Sequence, residues 1–315
     1  MRKNVLHERR GVSLMEILIA IFVIMIGLLG LTSLIPVGAV SIGEMTVADR
    51  TGSCGRAALR DVKVRRMLDP MLWMPPPGDM DTPNPELMPF AIDPLGVAKG
   101  MAGNLGTIER RTLAYPGTAN PFTIEYARSV FQSSDDLVFT IPSNTDERAF
   151  PRWDTGQTSG PPMPKGDFSW FVTVCPADGE SAVPIKHKTQ YLVSVVVCHK
   201  RVFLPEKEAS VPATFLGTGP NAGLSGGSIQ LALPEGDAAP RLKEGNWILL
   251  TSDRQCKWYR VVTIGSGPVE YISLKGPDWD TVESANPTAV VIDGVVGVYT
   301  KPIELDLDPK WHLHQ

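Results

Sequence analysis

The sequence predicts an α+β protein: a long amino-terminal helix, membrane-spanning in its first half, packed on a carboxy-terminal antiparallel β-rich domain. Three observations predict it. From Ile17 to Gly43 no side chain is charged, and an apolar run of that length belongs to a helix that crosses a bilayer. After Pro36 the next proline is Pro70, so the helix meets no obvious breaker on leaving the apolar run. Beyond residue 166, short runs rich in β-branched and aromatic residues alternate with Gly and Pro turns, the pattern of an antiparallel sheet. Bulk composition adds only exclusions. The 30 basic and 34 acidic residues nearly cancel and 43% of residues are hydrophobic, which supports neither disorder nor a nucleic-acid partner.

The first element is a basic segment, residues 1–11, in which Arg2, Lys3, Arg9 and Arg10 stand against Glu8. The membrane span follows at about residues 17–40. Taken as helix, Ile17 to Val40 extends roughly 36 Å at about 1.5 Å per residue, enough for a hydrocarbon core of about 30 Å. A secretory signal has a shorter apolar region followed by an A-x-A-like cut, and Gly38-Ala39-Val40 is a poor match. The excess of basic residues before the span places the amino terminus in the cytoplasm and exports the bulk of the chain.

Glu16 does not suit a plain anchor. It lies between Leu14-Met15 and Ile17-Leu18-Ile19, and a carboxylate at mid-bilayer costs about 2.5–3.5 kcal/mol on insertion scales, less near the interface. No basic residue occurs between Glu16 and Arg50. Its counter-charge therefore comes from Arg9 or Arg10, from outside the chain, or from a new amino terminus if the chain is cut nearby, since such an amine is positive at neutral pH.

The string Gly11-Val12-Ser13-Leu14-Met15-Glu16, after a short basic leader and before the apolar run, resembles the processing site of type IV prepilins and type II secretion pseudopilins. The resemblance covers about the first 45 residues. It implies that a membrane-embedded prepilin peptidase cuts after Gly11 and methylates the new terminus at Val12. Glu16 becomes the fifth mature residue, the position that in the family pairs with the terminal amine of a neighbouring subunit during assembly. It further implies other pilins or pseudopilins and an inner-membrane assembly platform as partners, besides the lipid bilayer. The physics agrees: glycine before the cut permits an extended backbone, and a buried acid loses its desolvation penalty only when a buried amine meets it. Val12 stands where mature pilins most often have Phe or Met, and the helix-kinking proline, Pro36, lies slightly later than in major pilins.

The helix is expected to continue to residue 69, giving a helix over 12–69, with Ala48, Gly52, Gly55, Leu59 and Val62 on one face and Arg50, Arg56, Arg60, Lys63, Arg65 and Arg66 on a solvated one. Pro70 is expected to end it. Eight prolines between Pro70 and Pro94 read as a loop or wrapped linker. Residues 70–165 form a Pro/Gly-rich segment with a short helix around Phe122, Tyr126 and Val130 and a strand from Leu137 to Ile141. Residues 166–315 are the β-rich exported domain. Its candidate strands are Ser169 to Val174, Tyr191 to Val197, Ile229 to Leu233, Trp247 to Thr251, Trp258 to Ile264, Val269 to Leu274 and Ala289 to Val298. A small barrel-like module is expected from about Ile229 to Leu274.

No enzyme, cofactor or metal site is expected. Gly223-Leu224-Ser225-Gly226-Gly227 matches G-x-S-x-G, but that elbow needs a strand before the serine and a helix after it. Here a Gly/Pro loop precedes and a strand follows. The stretch from Gly217 to Ala222 imitates a dinucleotide loop without a βαβ unit around it. His7, His187, His199, His312 and His314 suggest no metal site, and Asp278, Asp280 and Asp293, which could contribute to a calcium site, read more simply as solvated turn carboxylates. Cys54, Cys175, Cys198 and Cys256 form no CxxC pair. Cys175 and Cys198 fall at opposite ends of one hairpin, so direct pairing of those two is not expected, and the four stay unassigned between buried free thiols and the three possible connectivities.

The expectation is thus a non-enzymatic minor pilin or pseudopilin, the exported part being larger than in most major pilins. It would be anchored in the inner membrane by a single span, with its amino terminus cytoplasmic. The alternative is a single-pass envelope protein whose β-domain binds a ligand and never enters a filament.

Overall fold

A computed structural model of the chain describes residues 14–69, 72–74, 88–101, 103–115, 120–133, 153–154, 163–164, 166–176, 189–217, 221–231, 242–265, 270–282 and 286–305, with residues 118, 219, 240 and 284 besides. The protein is α+β, with one long amino-terminal helix and a β-rich remainder. It divides into two compact units, Met1–Asp49 and Arg50–Gln315.

In the first unit every described residue is helical. Helix α1 spans Leu14–Val64, and its stretch up to Asp49 belongs to this unit. It is long and apolar enough to cross a membrane. Pro36 has no N–H to offer the Thr32 carbonyl, yet the helix runs on through it. The Thr32 hydroxyl donates to the Leu28 carbonyl one turn earlier.

The second unit begins with the last turns of α1, where Thr51, Cys54, Ala58 and Val62 are buried at helical spacing. That face is turned by about one residue from the expected one, and the helix packs closely there against Gly297 and the Tyr299 ring. A Cβ on Gly55 would lie 2.2 Å from the Tyr299 ring, and one on Gly297 would lie 2.6 Å from Thr51. The helix ends at Val64 rather than at Pro70. Its stop is a left-handed residue, Arg66 at φ 55°. Met67 N–H bonds to the Val62 carbonyl at 3.0 Å and Arg66 N–H to the Lys63 carbonyl at 3.2 Å, and the apolar Val62 and Met67 are both buried. This is a Schellman stop with arginine where glycine is usual, which hid it in the sequence.

Six strands then form a sheet. In chain order the first five strands are β1 (Trp73–Met74), β2 (Phe90–Ile92), β3 (Glu109–Leu113), β4 (Trp153–Asp154) and β5 (Met163–Pro164). The next five are β6 (Phe168–Pro176), β7 (Thr189–His199), β8 (Glu208–Phe215), β9 (Ser228–Leu231) and β10 (Trp247–Thr251). The last four are β11 (Cys256–Gly265), β12 (Glu270–Lys275), β13 (Thr288–Ile292) and β14 (Val295–Leu305). The sheet order is β1-β3-β2-β6-β7-β14, while β4 and β5 pair apart. Only β2 and β3 in this sheet run parallel, and helix α2 (Pro94–Ala98), capped by Asp93, lies in their connection. Helix α3 (Ile124–Phe131), capped by Thr123, stands where a short helix was expected around Tyr126 and Val130, with Phe122 just before it. The proline-rich stretch is not all linker, since β2 sits inside the sheet between β3 and β6. Three residues are too few to show a period, and Pro89 and Pro94 bracket them. The expected strand from Leu137 to Ile141 lies outside the described residues.

The other strands close an antiparallel barrel in the order β10-β11-β12-β9-β8-β13. It is larger than the stretch expected from Ile229 to Leu274, because β8 and β13 complete it from outside those bounds. Its interior takes alternate residues, among them Ile248 and Leu250 of β10 and Ala289 and Val291 of β13. The residues between them, Leu249, Val290 and Ile292, join a second core with Phe171, Cys175 and Val196 of the sheet. Strands buried on both faces read as unbroken apolar runs, as WILLT and TAVVI do. The expected single strand from Ala289 to Val298 is two. The Asp293-Gly294 turn, with Gly294 at φ 85°, takes the chain from the barrel to the sheet. A Cβ on Gly294 would meet the His199 carbonyl at 2.6 Å.

Candidate functional site

Glu16 stands in the first turn of α1, where the partial positive charge of a helix amino terminus favours a carboxylate. It is the only charged residue among the described residues before Glu44. Around it Leu14, Met15, Ile17, Leu18 and Ile19 are each at least half exposed. The apolar surface continues around the helix through Phe22, Ile26, Leu29 and Ile35. A helix apolar all round requires a non-aqueous neighbour. Pro36 lies further along the same helix, while Gly11 and Val12 lie outside the described residues.

The second unit holds a group of charges that the sequence did not single out. Asp93 follows β2, Arg110 lies in β3, Arg201 follows β7 and Glu208 opens β8. All four side chains are at most 8% exposed. Arg201 grips Asp93 with both terminal nitrogens, Nη1 to Oδ1 at 3.0 Å and Nη2 to Oδ2 at 2.7 Å. Its Nη2 also reaches Glu208 Oε1 at 2.9 Å. Arg110 Nη2 binds Glu208 Oε2, and its Nη1 stands 3.4 Å from Asp93 Oδ2. Two cations thus face two anions, the arrangement that makes buried charge tolerable. The Arg201 guanidinium lies 4.7 Å from the Phe171 ring centre and 4.8 Å from that of Phe203. Burial works to raise the Asp93 carboxyl, but Arg201, Arg110 and the Gly96 N–H outweigh it and hold Asp93 below its ordinary value. Beside the group is a pocket of about 120 Å³, lined by Arg110 and Glu208 with Met101, Asn104, Leu105 and Ser210. Among the described residues, Arg110 Nε and Nη1 and Arg201 Nε have no hydrogen-bond partner. Burial pushes the nearby Cys198 thiol up to about 12, so it is not poised as a nucleophile. The arrangement ties sheet strands to barrel strand β8.

The motifs set aside on sequence serve turns. Leu224–Gly226 is one 3₁₀ turn with Ser225 at φ 54°. Ser225 N–H donates to Asp278 Oδ1 at 2.6 Å, and its carbonyl accepts from Gly276 N–H at 3.1 Å. Asp280 Oδ1 accepts from Val282 N–H at 2.8 Å. The His199 ring packs on Phe168 at 4.8 Å, while His7, His187, His312 and His314 lie outside the described residues. All four cysteines are buried. Cys175 is opposite Leu192 and Cys198 opposite Ser169, so those two do occupy opposite ends of the β6–β7 pair.

Comparison with protein-family models, with curated proteins and with solved structures finds no match to this chain.

Proposed function

We propose that this chain is a minor pilin or pseudopilin, a non-enzymatic subunit held in the inner membrane by α1 and drawn from there into a type IV pilus or type II secretion filament. Gly11 ends a cytoplasmic leader that prepilin peptidase removes, Val12 becomes the methylated terminus, and the β-rich part is exported. The observation that carries this reading is Glu16, a carboxylate in the first turn of α1 at the start of an exposed apolar stretch with no other charge before Glu44. In lipid that acid is costly to keep ionised. A neighbouring subunit cut before Val12 supplies an ammonium at the same depth, and the two charges compensate one another only when subunits meet. Assembly thereby gains a register that packing between apolar helices alone does not provide.

Mass spectrometry of the protein from cells that contain the peptidase is expected to show Val12 as an N-methylated terminus. An intact residue 1–11 segment in such cells overturns the proposal and favours a plain single-span anchor. Glu16→Ala is expected to leave membrane insertion intact or improved while reducing incorporation into filaments at least tenfold, and Glu16→Asp to recover part of it. Equal incorporation of all three forms would remove the role given to this carboxylate.

A further inference from the structure

We propose that Cys175 and Cys256 are a disulfide site, closed as the chain folds outside the cytoplasm and joining the six-stranded sheet to the barrel. The compartment, though not the pairing, rests on the exported reading above. Cys175 is the next-to-last residue of β6 and Cys256 the first of β11. Cys256 N–H donates to Cys175 Sγ at 3.1 Å, and Cys256 Sγ lies 4.0 Å from the carbonyl of Val174. Each sulfur therefore sits against the backbone beside the other. The contact is held by a neighbouring one, since Trp258 Nε1–H donates to Thr173 Oγ1 at 3.0 Å. Side chains repeat every second residue along a strand, so Thr173 shares a face of β6 with Cys175, and Trp258 a face of β11 with Cys256. Two matched contacts fix the approach of the strands with or without a covalent bond.

In the folded chain the Cys256 side chain holds Cys175 below its ordinary value, and Cys256, facing Cys175 and buried, is raised. While the chain folds, either thiolate can attack first. The step is thiol–disulfide exchange with a disulfide donor, either an oxidoreductase of the exported compartment or oxidised glutathione. With Cys175 first, its thiolate displaces one donor thiolate to give a mixed disulfide. The Cys256 thiolate then attacks the Cys175 sulfur and releases the second. Two protons and two electrons pass to the donor, which leaves as two thiols. With the partners 1% and 5% exposed in the folded chain, closure belongs to folding. They are 81 residues apart, so the link closes a long loop and restricts the unfolded chain accordingly.

Trypsin places the four cysteines on separate peptides, with Cys175 in 166–186 and Cys256 in 255–257. Full-length protein from native membranes, alkylated without reductant, is expected to yield these two peptides linked, 2 Da lighter than their sum. Reduction is expected to lower the thermal midpoint by about 5–15 °C. Cys54→Ser/Cys198→Ser protein is expected to keep the link. As a second arm, the full chain is synthesised cell-free into lipid nanodiscs in a glutathione redox buffer. A link formed there but missing from native membranes supports the pairing and overturns the exported reading. A link in neither, or one joining Cys175 or Cys256 to a different cysteine, overturns the pairing whatever the compartment.

Discussion

Asp93 is the residue on which the buried charges converge, since both guanidiniums and the Gly96 N–H address its carboxylate. Removing its charge leaves Arg201 and Arg110 with only Glu208, and breaking a buried pair in this way typically costs about 3–5 kcal/mol. Asp93→Asn keeps the size and an acceptor for Gly96, so the loss it measures is mainly electrostatic. The acidity of Asp93 gives the test a second axis. Its folded value lies below its unfolded one, so its contribution to stability is fully present above the unfolded value, near 3.8. That contribution is lost as pH falls through the lower folded value. Thermal midpoints from pH 7 to pH 3 are expected to drop more steeply in the wild type than in Asp93→Asn. Parallel slopes would show that the carboxylate is not held by its cations.

Among the elements, the end of α1 and β14 approach closely only because position 55 is glycine. A methyl at Gly55 would sit within 2.2–2.8 Å of three atoms of the Tyr299 ring, a rigid group that must swing away to admit it. Gly55→Ala is expected to destabilise the protein by about 1–3 kcal/mol, the usual cost of overpacking, although alanine is the better helix former. Adding Tyr299→Ala should recover most of that loss, and a double-mutant cycle in denaturant reads the coupling. Additive effects would mean that the ring does not set the spacing. The same scale shows what sequence can and cannot disclose. Strand β10 is expected and found at Trp247–Thr251, because an apolar run bounded by turns is decided locally. Strand β8 was not expected: EASVPATF has no apolar run, contains Pro212, and becomes a strand through its pairing with β13 and β9. The split at Asp293-Gly294 was written in an ordinary turn pair but hidden by valine runs on both sides. Glu16, likewise, is legible because its neighbours in sequence are its neighbours in space. The charge group is not, since Asp93 and Arg201 are 108 residues apart and neither is unusual in its own segment.

For the molecule as a whole, α1 gives the chain an amino-terminal helix long and apolar enough to cross a membrane, and Arg50–Gln315 forms a compact unit of its own. Within that unit the sheet and the barrel each have their own strand order, yet one core draws on both. Phe171 of β6 is fully buried there. Its ring centre stands 6.2 Å from that of Trp258 in the barrel and 4.7 Å from the Arg201 guanidinium. Removing that ring takes packing from both parts at once. Phe171→Ala is expected to cost about 3–5 kcal/mol. If the two parts unfold as one, the barrel must feel a substitution made in the sheet, because a shared core cannot be lost by half. Hydrogen exchange read on peptides from β9 and β12, which pair only with other barrel strands, is expected to accelerate by the same free energy as exchange in β6 and β7. Barrel amides that kept their protection while the sheet lost its own would instead mark two separately stable folds in contact.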